Sequence, residues 1–392
     1  MGIDNFTVTD NRSWFNRIGS AFKGIVIGLI TIIAGFVMLF WNEGRAVERY
    51  KTLIEGGGVV LSIPADRVDP GNEGKLVHLT GVADSQQTLI DQEFGVKSQS
   101  IKLIRNVEMF QWKESSKSET KKKLGGGEET ITTYSYSKDW VSRAVDSNAF
   151  KKSENHRNPG TMVYQPRTLT ATKVEVGAFR LSPSLVNKIS PAIPFSVAGN
   201  YTLPESLSGK IIPITNGFYL GKDPSNPEVG DHRISYTVVM PGEVSLIAKQ
   251  ILSSFEPYHT KAGGAIEMLE MGLHSADSMF QKAQHSNTIL TWLLRGGGFL
   301  ILLIGLKMVL APLGVIADIV PMIGSMVGVG TTLVAALLSA VLSFVTIGIA
   351  WLFYRPLLGG ILLAVATVLC FFIFIKVKKT EPVPPPIPPP IP

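Results

Sequence analysis

The feature that most constrains this 392-residue chain is where its apolar residues stand. They gather in 24–41 and 289–375, while the stretch between has mixed charge and short alternating segments. A helix needs about 20 apolar residues to cross a bilayer. Residues 22–41 meet that length with no charge after Lys23, and Trp41 suits an interfacial aromatic position. About twenty polar residues precede this run and no small-residue cleavage pattern follows it, so it reads as a retained signal anchor.

The second apolar region divides at its prolines and charges. Residues 289–310 form a second span carrying Arg295 near its start. Pro312, Asp318 and Pro321 mark 311–325 as an interfacial or re-entrant segment. Residues 326–353 form a third span and 357–375 a fourth, joined by Tyr354-Arg355-Pro356. The expected fold class is an α+β integral membrane protein with four transmembrane helices, one N-terminal and three C-terminal. A large β-rich extracytoplasmic domain, 42–288, lies between the first two. Arg12, Arg17 and Lys23 before the first span, and Lys376, Lys378 and Lys379 after the last, put both 1–21 and 376–392 in the cytoplasm. Arg45, Arg49, Lys51 and Arg355 run against this bias.

The net charge of +6 is accounted for by Lys and Arg flanking apolar runs, so nucleic acid is not an expected partner. Cys370 is the single cysteine, so no intrachain disulfide or cysteine-based zinc site forms.

Within the central stretch, 59–63, 76–79, 101–112, 130–136, 169–179 and 234–240 carry strand composition. Residues 121–129, Lys-Lys-Lys-Leu-Gly-Gly-Gly-Glu-Glu, read as the charged tip of a hairpin. Its lysines read as those of an ordinary solvated loop, the alternative being a site for an anionic partner or lipid headgroup. From Pro241 the spacing turns helical, over 244–255 and 265–283. In the second, Ile266, Leu269, Leu273 and Phe280 share a face that lies on the membrane or packs on the β domain.

Catalytic chemistry is not legible. His78, His156, His232, His259, His274 and His285 are scattered, and no His-Glu-x-x-His pattern occurs. Asp231-His232 has no nucleophile beside it. Residues 56–58 and 125–127 are glycine clusters without a phosphate-cradle Lys-Ser/Thr. No catalytic residue, cofactor or metal site is expected, and the chain is expected not to be an enzyme.

The membrane segments say more. Ser20, Gly24 and Gly28 are spaced by four, as are Gly324 and Gly328, a spacing that lets helices approach closely. A charge within a membrane span is costly and calls for a partner. Glu43 leaves the first span on the side where Arg295 enters the second, so the two are expected to pair. Snorkelling of Arg295 to headgroups is the alternative. Trp41 and Trp292 are interfacial aromatics at this junction. Lys307 and Asp318 are a weaker candidate pair. The tail 382–392 is an extended polyproline segment, a stiff tail or a docking peptide.

Several motifs together resemble the transmembrane protein 43 (LUMA) family. They are Ser13-Trp14 with Arg17-Ile18, Leu39 through Ala46 with its Trp-Asn-Glu-Gly-Arg core, and Val107-Glu108-Met109 with Gln111-Trp112. Tyr134-Ser135-Tyr136 followed by Trp140, Gly230-Asp231-His232-Arg233, and Thr291-Trp292 with Leu294-Arg295 complete the set. The resemblance implies four membrane helices, a large domain between the first and second, self-association and no established enzymatic activity. It implies that eukaryotic members sit in the endoplasmic reticulum and inner nuclear membrane and associate with emerin and lamins. The proline tail departs from the family pattern. The chain reads as a bacterial member, which puts it in an inner membrane with a periplasmic domain and removes lamin partners.

Three functions follow. The first is a membrane scaffold that forms homo-oligomers and offers its domain to membrane lipids or other membrane proteins. The second is a channel or transporter component using Asp318, Lys307 and Arg295, which the scarcity of polar residues in the spans opposes. The third, an envelope enzyme, is opposed by the missing constellation.

Overall fold

Ser13 accepts a hydrogen bond from the Asn16 amide and so caps the first helix. The computed structural model describes residues 4–357 and 359–361. Its elements in chain order are β1 Asp4–Arg12, α1 Trp14–Val59, β2 Leu61–Ser62, β3 Leu76–Asp84, β4 Thr88–Asp91 and β5 Val96–Gln99. Then come β6 Lys102–Lys122, β7 Glu128–Val141, β8 Arg167–Thr170, β9 Glu175–Val176, β10 Phe179–Arg180, α2 Pro183–Lys188 and β11 Ile193–Pro194. Next are β12 Ile212–Ile214, β13 Gly217–Leu220, β14 His232–Val239, β15 Gly242–Ile251, β16 Ser254–Glu256, β17 Tyr258–His259, β18 Ala265–Ile266 and β19 Met268–Met271. The helices α3 Ala276–Ala317 and α4 Pro321–Tyr354 follow. The chain divides into two units. One holds the described residues up to Arg17, Tyr50–Ser286 and Asp318–Pro321; the other holds Ile18–Arg49, Asn287–Ala317 and the described residues from Met322 on.

The first unit is built on two sheets. One runs β1-β7-β6-β14-β13-β12, with β8 and β11 attached; the other runs β10-β9-β3-β15-β16, with β2 and β19 attached. β14 alternates buried and half-buried residues, the period of a strand with one face on a core. A core cluster draws Leu103, Val107, Phe218 and Ile234 from the first sheet and Leu79, Val176, Leu246 and Phe255 from the second. A smaller cluster joins Leu53 of α1, Ile247 of β15, Ile266, and Met279 and Phe280 of α3.

That packing corrects the helical reading of 244–255 and 265–283. The first is β15 and β16; the second holds β18 and β19, and helix begins only at Ala276. Val244 through Ala248 are buried in succession because both faces of β15 are covered. A short continuous apolar run cannot be assigned to helix or strand by its periodicity. Leu273, expected on the apolar face, is exposed. The other strand readings fall on β3, β6, β7, β8 through β10 and β14. In 59–63, Val59 ends α1 and only Leu61–Ser62 is strand.

The hairpin tip lies where the glycines put it. β6 pairs with β7 from Met109↔Val141 to Lys122↔Glu128, and Gly125 and Gly126 turn the chain at φ +83° and +80°. Residues 56–58 fall in the last turn of α1.

The N-terminal segment differs from expectation. β1 pairs with β7 along nine residues, from Asp4↔Tyr136 to Arg12↔Glu128. A ladder of that length joins residues before the apolar part of α1 to the sheet that follows it. β1 therefore belongs to the same compact unit as the strands that follow α1, which the sequence reading did not anticipate.

The helical unit takes its membrane-length segments from α1, α3 and α4, of 46, 42 and 34 residues, each apolar enough to cross a bilayer. The segment 311–325, expected to be interfacial or re-entrant, is shared between two helices: α3 runs on through Pro312 to Ala317, and α4 starts at Pro321. Pro312 forfeits one helical hydrogen bond without ending the helix, whereas Pro321 stands at a first helical position, where its missing N–H costs nothing. The span 326–353 lies within α4. The fourth span, 357–375, beyond its first residues, and the tail 376–392 lie outside the described residues.

Candidate functional site: a buried polar clasp in the helical unit

The glycines let α1 and α3 approach. A Cβ on Gly28 would stand 2.8 Å from the Gly305 carbonyl oxygen, one on Gly35 2.8 Å from Leu302, and one on Gly298 2.4 Å from Leu39. Partner numbers fall on α3 as they rise on α1, so the helices run antiparallel. Gly28 and Gly35 are seven apart, as are Gly298 and Gly305, a repeat that keeps small residues on one seam.

Of the small residues expected to pack, Gly28 is at this seam, and a Cβ on Gly24 would stand 4.0 Å from the Met308 carbonyl oxygen. Gly324 is buried in α4, and a Cβ on Gly328 would meet nothing within 4 Å. Ser20 lies on α1 within the same unit. Gly35, Gly298 and Gly305 were not singled out by the spacing of four; the spacing of seven is the signal that finds them.

Along the seam stands a layer of polar side chains. Glu43 is fully buried. Arg295 donates from Nε to Glu43 Oε1 at 2.7 Å and from Nη2 to Oε2 at 2.9 Å. Trp351 of α4 donates its indole N–H to the same Oε2 at 2.8 Å. The guanidinium lies 4.7 Å from the Trp292 ring centre and 5.8 Å from that of Trp351. A carboxylate in bidentate contact with a guanidinium, with a third donor and two aromatic faces, is a closed arrangement. It ties three helices by one buried acid.

Beside it Asn42 donates to the Thr291 carbonyl, and Arg45 donates to Asn287, Asn42 and Thr291 at 3.0, 3.2 and 3.0 Å. Asn287 returns a bond to the Ala46 carbonyl. Gly44 is dictated by Tyr354, whose ring a Cβ would meet at 2.7 Å. Trp41 and Trp292, expected as interfacial aromatics, are 57% and 64% exposed. The Trp-Asn-Glu-Gly-Arg and Thr-Trp-x-Leu-Arg motifs therefore face one another. Asn42, Arg45 and Thr291 were readable from those motifs, whereas Trp351 carried no local signal.

A groove of about 650 Å³ opens between α1 and α4, lined by Phe36, Phe40, Trp41, Leu342, Ile349 and Tyr354 among others.

Asp318 takes different partners from the Lys307 expected. In the strand-rich unit it accepts from Arg17 Nη2 and from Lys122 Nζ, each at 2.5 Å, and Arg17 Nε lies 3.0 Å from Glu128. Gly125 N–H reaches the Ile319 carbonyl at 3.1 Å, and Arg17 also donates to the Gly126 carbonyl. Burial alone would raise the Asp318 carboxyl; the hydrogen bonds from Lys122 and Arg17 outweigh it and hold the group below the ordinary carboxylate range. Lys307 is exposed on α3. Only the fold brings the hairpin tip to Asp318, because the two are far apart in sequence.

In the strand-rich unit, Asp231 accepts from the Tyr219 hydroxyl at 2.5 Å and from the Glu228 amide, so its carboxylate serves a turn rather than orienting His232. Among the described residues no group of His, Cys, Asp and Glu is placed to hold a metal ion.

The family model described as Transmembrane protein 43 matches residues 109–356. The chain is 33% identical to "Transmembrane protein 43" of Rattus norvegicus, with 94% of each chain covered. It is 31% identical to the Homo sapiens protein of that name, over 91% of this chain and 90% of the other. The "Transmembrane protein 43 homolog" of Drosophila melanogaster is 27% identical over 86% and 90%. No solved structure matches.

Proposed function

The chain belongs to the transmembrane protein 43 family and is an integral membrane protein, and from that premise we propose that it is a non-enzymatic scaffold which self-associates and presents its strand-rich unit to protein or lipid partners. The observation that carries this reading is the mutual engagement of Glu43, Arg295 and Trp351. Arg295 and Glu43 are consumed by each other and by Trp351, so the helical unit uses its intramembrane charges to hold helices together. Asp318 is likewise engaged by Arg17 and Lys122. Charges committed to neighbours serve a rigid platform better than a conducting path. The apolar groove between α1 and α4 suits an acyl chain and supports lipid as one partner.

Native mass spectrometry of the purified chain in nanodiscs, paired with ion flux in liposomes, tests the proposal. Oligomers without flux are expected. A monomer at every concentration overturns self-association. Flux that is lost on Arg295→Gln or Asp318→Asn replaces the scaffold with a channel component.

A further inference from the structure

Beyond Trp112, β6 leaves the body of its sheet accompanied, among the described strands, by β7 and β1 alone. Among the described residues, 113–122 of β6 has no ladder partner on the side away from β7, and β1 has none on its outer side. The result is a three-stranded ribbon with two open edges. Each presents a row of main-chain donors and acceptors, which is a template for another strand.

The two edges match. β1 has nine residues, and the open stretch of β6 is of about that length. Both strands are antiparallel to β7, so they run parallel to one another. A second copy placed alongside in the same orientation brings its β1 to this β6 in a consistent direction. The charges are complementary: β1 carries Asp4, Asp10 and Arg12, whereas 113–122 carries four lysines against two glutamates. Lysines on an edge ordinarily discourage pairing. Here the strand to be added carries Asp4 and Asp10 to face them, and the pairs Lys113–Asp139 and Lys117–Glu119 within a copy are exposed and weak enough to rearrange. A two-fold contact of β6 on β6 would oppose lysine-rich edges, and one of β1 on β1 would leave β6 open. The head-to-tail contact satisfies both edges of every copy and closes when the rotation between copies closes.

We propose that copies of this chain assemble by strand addition, the outer edge of β1 in one copy pairing with residues 113–122 of β6 in the next. The inference rests on the self-association read above and names its surface.

Disulfide trapping tests it. Val8 and Ser118 both stand opposite Thr132, one on each side of β7. Within a copy they are therefore two strand spacings apart, about 9.5 Å. A disulfide requires Cα atoms within about 7 Å, so any bond between them joins two copies. In a Cys370→Ser background, Val8→Cys is combined in turn with Ser116→Cys, Ser118→Cys and Thr120→Cys, which covers the neighbouring registers. The full chain in detergent is oxidised and run on a non-reducing gel. One of the three doubles is expected to give a reducible ladder of dimers and larger species, and single variants none. No ladder from any double, with oligomers still seen by native mass spectrometry, overturns strand addition and leaves the scaffold reading standing. Dimers from Val8→Cys alone overturn it in favour of a two-fold edge. A monomer by mass spectrometry overturns both.

Discussion

Trp351 donates its indole N–H to the same Glu43 oxygen that accepts from Arg295 Nη2, so one buried carboxylate oxygen links α1, α3 and α4. Arg295→Met leaves Glu43 buried without a counter-charge, and is expected to cost about 3–5 kcal/mol. The double variant Glu43→Gln with Arg295→Gln is expected to recover a large part of the loss of either single change. Thermal unfolding in detergent of the four members of the cycle measures this. Additive effects would show that the two side chains are not coupled.

Glycines on the seam and off it are expected to respond oppositely. Gly28→Ala and Gly35→Ala push a methyl against Gly305 and Leu302 and separate the helices. Each is expected to destabilise by about 1–3 kcal/mol. Gly328→Ala meets nothing and is expected to be neutral or to stabilise by up to about 1 kcal/mol. Equal effects at Gly28 and Gly328 would refute the seam.

The ion cluster at the hairpin tip is expected to protect it. Asp318→Asn removes the charge that holds Lys122 and Arg17. Trypsin is then expected to cut at Lys121, Lys122 or Lys123 several-fold faster than in the parent chain. An unchanged cleavage rate would mean that the tip is held by other contacts. The folded-state carboxyl lies below its ordinary value, so this stabilisation is present above about pH 4 and is lost as pH falls through the folded value.

Burial holds the His78 imidazole below its ordinary range, opposed by its hydrogen bond to the His274 carbonyl. The unfolded chain then binds the proton more readily, so stability is full above about pH 6.5 and declines as pH falls below it. His232 is lowered by burial in the same direction. Unfolding followed between pH 5 and 7.5 is expected to show a shallower slope for His78→Gln. A slope identical to that of the parent would remove His78 from the account.

Leu252 sits at φ +51° while 74% exposed, in the turn between β15 and β16. A leucine gains nothing there to offset a left-handed backbone, which costs about 1–2 kcal/mol. Leu252→Gly is expected to raise the unfolding temperature or leave it unchanged. A clear drop would show that the exposed side chain packs on something.

The sequence by itself determined the membrane character, the division into apolar helices and a strand-rich domain, and the glycine tip of the β6–β7 hairpin. Each rests on local physics: the length a bilayer demands, the period of a strand, the backbone freedom of glycine. Glu43 and Arg295 stood out because a charge beside an apolar helix has few partners to choose from. Tertiary structure decided the rest. Only the cover on both faces of β15 makes Val244 through Ala248 strand rather than helix. Only pairing between distant residues draws β1 onto β7 and gives Asp318 to Arg17 and Lys122 rather than to Lys307. Those choices depend on which main-chain and charged groups meet after folding, and neighbours in sequence carry no record of it.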